Sequence, residues 1–207
     1  MCQPVPFEVD FGMIVKAIES YRANLRNAVR GLWSGDFDYF WFYDQMMLSI
    51  ERGFTQAWYE GAAMYGVKPS ELTDEERNAL RSEIIKETNF IDALGQAVLA
   101  KNRASGGKLE PLYARTELWV AGYGRVITLA STYAAADQKH IWVRGNVRES
   151  CRDCKRYEGR IHRMSVWRKY GAVPKTYALA CHGYHCECRL DPTNLPATPG
   201  RPASPTG

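Results

Sequence analysis

The chain has 207 residues, a net charge of +4, 45% hydrophobic and 12% aromatic residues. These proportions exclude a disordered chain and give enough apolar material for one domain, or one domain plus a small lobe. No apolar run approaches the about 20 residues of a membrane helix, and residues 1–30 contain no apolar signal region, so the expectation is a protein of cytosolic origin with no membrane partner.

In chain order, residues 1–11 hold two prolines and read as an extended arm, with Cys2 as a bystander. From Gly12 to Leu32, apolar residues at three- and four-residue steps predict an amphipathic helix, broken by Ser34-Gly35-Asp36. A second helix starts near Asp36 or Asp38 and ends at Gly66. Its dense aromatics (Phe54, Trp58, Tyr65) are read as core and not as a stacking platform. Thr73 followed by Glu76 is a capping box for a charged helix running to about Phe90, and residues 90–103 continue helical. Ser105-Gly106-Gly107-Lys108 is a linker, since the phosphate-loop pattern around it is absent. Leu109 to Lys139 is the last long helix, in which Gly122 and Gly124 suggest a close helix contact. Strands follow at His140–Arg144 and Arg160–His162 around a turn at Gly145-Asn146, with Trp167, Tyr170, Pro174 and Tyr177 as an aromatic core. The expected division is an arm at 1–11, a helical domain at 12–138, a Cys-rich lobe at 139–191, and a flexible Pro/Ser/Thr-rich tail at 192–207. The fold class is α+β: a mainly helical N-terminal body with a small β-containing, metal-stapled C-terminal lobe.

The stretch that carries chemistry is Cys151–Leu190, which holds five of the six cysteines and three of the four histidines. A Cys-x-x-Cys facing a second Cys/His cluster is how a chain wraps a tetrahedral metal, and thiolates with imidazoles suit structural zinc. Disulfides are the competing use of the same residues. Cys151 and Cys154 form the first pair and Cys181 is the natural third ligand. Cys186 takes the fourth place in competition with Cys188, because an extended Cys-Glu-Cys puts both thiols on one face. His182 and His185 are reserve ligands, while His162 reads as a solvated turn residue. A catalytic site has little support: Glu149, His162 and His185 are the candidate groups, but no His-Asn-His or His-Glu-x-x-His pattern joins them. The chain is expected not to be an enzyme.

Between Lys139 and Tyr170, ten Lys/Arg stand against three carboxylates, a local charge of +7. Arg144, Arg148, Arg152, Lys155, Arg156, Arg160 and Arg163 are therefore candidate contacts to phosphate or to an acidic protein face. A lobe solvated by its own basic residues accounts for the same pattern.

With these residues in view, the chain resembles the phage Mu F-like minor head protein (head morphogenesis) family. The resemblance runs over residues 110–192. It includes Arg-Thr-Glu-Leu-Trp (115–119), Ile141-Trp142-Val143, Glu-Ser-Cys-Arg-Asp-Cys (149–154), Glu158-Gly159-Arg160-Ile161-His162, Trp167, Pro174, Leu179-Ala180-Cys181 and Cys186-Glu187-Cys188-Arg189-Leu190. Where many members carry His-Pro-Asn before the Cys-x-Cys, this chain has Cys-His-Gly-Tyr-His-Cys, which leaves the third ligand among Cys181, His182 and His185. The resemblance implies a virion component in few copies, assembled in the host cytoplasm with portal and capsid proteins and linked to head assembly, DNA packaging or ejection. Double-stranded DNA is a further implied partner. A free zinc-knuckle nucleic-acid-binding protein is the alternative.

Overall fold

The computed structural model describes residues 11–135, 137–184 and 186–207. The N-terminal arm, Cys2 and the reserve ligand His185 fall outside the described residues. The fold is α+β, with long helices followed by a small antiparallel sheet. Two compact units form, one from residues 11–60 with 72–123 and the other from 61–71 with 124–207. The division falls inside two helices and not at residue 138.

The first unit contains α1 (Phe11–Ser34), α2 (Tyr39–Ala63) as far as Glu60, α3 (Asp74–Thr88), α4 (Ile91–Ala100) and the start of α5 (Glu110–Ala134). The buried positions of α1 follow the apolar spacing: Ile14, Tyr21, Leu25, Ala28, Val29 and Leu32. Gly35, at φ 82°, takes the left-handed conformation that ends the helix. Phe42, Met46, Ile50, Phe54 and Trp58 are all buried, so the helically spaced positions are core, as their spacing predicts, while Phe40 and Trp41 at the start of α2 are exposed. Polar bonds pin the surface of this unit. Glu117 accepts from Arg22 at 3.1 Å and Arg26 at 2.8 Å, and Tyr123 donates to Glu60 at 2.9 Å. The capping box is complete: Thr73 Oγ1 accepts the Glu76 amide and Glu76 accepts the Thr73 amide. Thr73→Ala removes one half of this exchange and is expected to cost about 1 kcal/mol in urea unfolding, with Thr73→Ser close to wild type.

The second unit holds β1 (Lys139–Val143), α6 (Arg152–Tyr157), β2 (Ile161–Arg163), α7 (Met164–Lys169) and β3 (Arg189–Pro192). The sheet order is β2-β1-β3, antiparallel throughout, with Ile141 opposite Ile161 on one side and Asp191 on the other. The tight helix contact is made by Gly61 at the end of α2, where a Cβ would lie 2.3 Å from the Ile127 carbonyl oxygen of α5. Gly124, expected to make such a contact, faces open space. Trp142, Tyr157 and Trp167 form the aromatic centre, with ring centroids 4.9–5.9 Å apart, and Trp167 Nε1 donates to the His140 carbonyl at 3.1 Å.

Two expectations are corrected in this unit. His162 is not a solvated turn residue: it is buried in β2, edge-on to Trp167 at 4.8 Å, and burial, helped by Arg160, holds its pKa below the ordinary histidine value. Residues 192–207 are not a loose tail. Their backbone bonds to the sheet and to the loop after α7: Thr193 N–H to the Lys139 carbonyl, Thr198 N–H to the Ile161 carbonyl, and Gly207 N–H to the Ala178 carbonyl. The Ala203 and Ser204 carbonyls accept from Tyr157 and Arg156, both at 2.7 Å. A segment with almost no apolar surface is thus held by its carbonyls and amides.

Candidate metal centre

Cys151 is the N-cap of α6, extended at φ −64° and ψ 162°, and its thiol accepts the Cys154 amide at 3.4 Å. Cys154 sits in the first helical turn, 2% exposed. The Cys-x-x-Cys spacing therefore places both sulfurs at the positively polarised start of a helix, where thiolate is favoured. Cys181 lies in a tight turn in which His182 and Gly183 are both left-handed, at φ 49° and 77°. A Cβ on Gly183 would lie 2.2 Å from the Lys175 carbonyl oxygen, so only glycine fits there. Cys186 and Cys188 flank Glu187, whose Cβ crowds the position of any side chain at Gly145 at 2.2 Å. That approach brings the Gly145 amide to Cys188.

Together the chain segments gather five thiols. Cys151, Cys154 and Cys181 have sulfurs within 4.8 Å of one another, and so do Cys154, Cys186 and Cys188. The Cys154 and Cys186 sulfurs are 3.9 Å apart. Two thiolates on one tetrahedral zinc, each at about 2.3 Å, lie about 3.8 Å apart, so this spacing is compatible with a shared metal as well as with a thiol–thiol hydrogen bond. The four expected ligands, Cys151, Cys154, Cys181 and Cys186, are all here, and so is the alternate Cys188. The alternate His182 is directed elsewhere: its Nδ1 lies 3.1 Å from the Tyr177 carbonyl, and it belongs to neither thiol group.

Electrostatics make the same point. The Cys154 and Cys188 thiols donate to Cys186 and push its pKa down to about 2, while Cys154, as the donor to Cys186, is driven far above the ordinary thiol range. Burial, with Cys151 and Cys186 nearby, pushes Cys181 up to about 12. Crowded thiols share protons because they cannot all be anions together. A bound cation removes that conflict and lets all its ligands ionise. The donor set fits a structural metal.

Asp153, between the two cysteines of the first pair, is the residue that sequence reasoning overlooked. Its side chain is 0% exposed. Oδ2 accepts the amides of Ala180 at 2.8 Å and Thr206 at 3.0 Å, and Oδ1 accepts Thr206 Oγ1 at 2.9 Å and Arg156 at 2.8 Å. Against burial, these donors hold its carboxyl below the usual range. One carboxylate thus joins the first cysteine pair, the approach to Cys181 and the C-terminal segment. In sequence it was one of three carboxylates among ten bases.

The basic residues divide by use. Arg152 donates to Thr206 and Arg156 to Asp153 and Ser204, so both brace the C-terminal segment. Arg160 caps the Arg156 carbonyl at 3.0 Å, Arg144 pairs with Glu158 at 3.3 Å, and Arg163 donates to the Asp137 carbonyl at 3.0 Å. Arg148 and Lys155 are exposed.

No protein-family model, curated protein or solved structure matches the chain. Among the described residues, no helix is long and apolar enough to cross a membrane.

Proposed function

We propose that the chain is a minor head protein of a tailed phage or prophage, acting in head morphogenesis by binding and not by catalysis. The observation that supports this reading most is that the Cys-rich part of the stretch resembling the Mu F-like family, residues 139–192, folds within one unit. The strand Ile141-Trp142-Val143 forms the middle of the sheet, and both cysteine clusters converge beside it. The cation in the lobe is structural zinc, which thiolates hold without redox chemistry. The binding surfaces are directed to portal and capsid proteins, with the protein carried in the virion after assembly in the host cytoplasm.

The basic face supports contact with packaged double-stranded DNA as a second role. Arg148 and Lys155 are exposed, and the pairs Arg144–Glu158 and Arg163–Asp137 are surface pairs of low cost to exchange for phosphate. Such contact would be sequence-independent and steeply weakened by salt. The test is co-expression with the portal protein of the same genome, followed by pull-down and particle counting with and without this chain. Retention on the portal and loss of infectious particles on deletion are expected. Normal particles and no retention would overturn the reading. Tight, salt-sensitive DNA binding by the chain alone, without retention on portal or capsid, would favour the free nucleic-acid-binding protein.

A further inference from the structure

A single tetrahedral ion needs four sulfurs all about 3.8 Å apart. Among the described residues, the thiols do not form one set of four or five. They form two triads, Cys151–Cys154–Cys181 and Cys154–Cys186–Cys188, each within 4.8 Å internally, with Cys154 common to both. Three thiolates on one tetrahedral ion at about 2.3 Å lie about 3.8 Å apart and leave a fourth position for water, which each triad accommodates. All five cysteines line one cavity. Charge points the same way. Five thiolates carry five negative charges; one dication leaves three of them uncompensated, and two dications leave one.

We propose that the lobe binds a pair of soft d10 cations in a thiolate cluster, one ion in each triad, with the Cys154 sulfur as the bridge. Soft thiolate donors select divalent ions of the zinc and cadmium type. The proposal deepens the metal-stapled reading of the lobe and rests on it. It explains why a fifth cysteine stands beside four that would suffice, and why Cys154 lies at the meeting point of the two groups.

The experiment loads the reduced, metal-free full chain with cadmium under anaerobic conditions. It counts bound ions by native mass spectrometry and records cadmium NMR with the spin-active isotope. Two ions per chain and two resonances split by mutual coupling through a shared sulfur are expected. Cys188→Ser and Cys151→Ser should each retain one ion, and the coupling should vanish in both. One ion per wild-type chain, or two ions without coupling, would overturn the bridged pair and leave the single structural metal standing. No bound ion would overturn both. Retention of two coupled ions in Cys188→Ser would also overturn the proposal, and wild-type stoichiometry decides the matter even if a variant fails to fold.

Discussion

Stripping the metal with a strong chelator is expected to unfold the segment between Gly145 and Cys188 while most of the far-ultraviolet helical signal survives. The helices that depend on the cysteine clusters are short: α6 and α7 have six residues each, against 24 and 25 in α1 and α2. The connectors carrying the thiols have little regular structure of their own, so in this region the metal replaces a large core. Structural zinc contributes about 10–16 kcal/mol in small finger domains. Here Trp142, Tyr157 and Trp167 form a buried cluster beside the thiols, so part of the fold has its own support. The measurement is circular dichroism together with tryptophan fluorescence and limited proteolysis. A small ellipticity change, a red shift of emission and new cleavage between Gly145 and Cys188 are expected, all reversed by adding zinc. Cys154→Ser should be the most damaging thiol substitution, since its sulfur belongs to both groups. An unchanged cleavage pattern after complete metal removal would show that the thiols do not staple the lobe.

Asp153→Ala is expected to destabilise the protein by roughly 3–5 kcal/mol, since two backbone amides are left without their acceptor at about 1–3 kcal/mol each. The loss has an identifiable origin. The amides of Ala180 and Thr206 lose their acceptor, and the Arg156 guanidinium loses its buried partner. For a chain of this length the melting temperature should fall by about 10 °C. Asp153→Asn keeps one carbonyl acceptor and should cost less. Hydrogen exchange gives the diagnostic readout: the Thr198 and Thr206 amides, protected in wild type, should exchange much faster in Asp153→Ala, while α1 and α4 amides are unaffected. Equal protection of residues 198–207 in both proteins would mean that the segment is held by its other bonds, to Ile161, Tyr157 and Ala178.

The long helices were legible because burial on one side imposes a three- to four-residue rhythm, and the Thr73–Glu76 cap marks a helix start locally. The first two strands showed the alternation of a small sheet. β3 did not, because Arg-Leu-Asp-Pro has no apolar rhythm and is extended only by pairing with β1. α6 and α7 are too short to establish a period. The cysteine positions were readable from spacing alone, and all four expected ligands lie in the cluster. That they divide into two groups is a matter of ångströms, set by the turn at His182-Gly183 and the approach of Gly145 to Glu187. The C-terminal segment was misread because composition reports what a segment can bury and says nothing of acceptors waiting for its amides. Asp153 was passed over for a related reason: a buried carboxylate is identified by its donors, and these come from residues 27 and 53 positions away.

Those separations bear on the order of assembly in the cell. The central strand β1 finds one neighbour about 20 residues later in β2 but the other only at Arg189–Pro192, and the Asp153 carboxylate receives its last donors at Thr206. Contacts so distant along the chain form slowly and only after the intervening residues exist. During synthesis, the helices up to α5 have all their residues long before the ribosome reaches Thr206. The sheet and the contacts of Asp153 are therefore complete only once Arg189–Pro192 and Thr206 have been added.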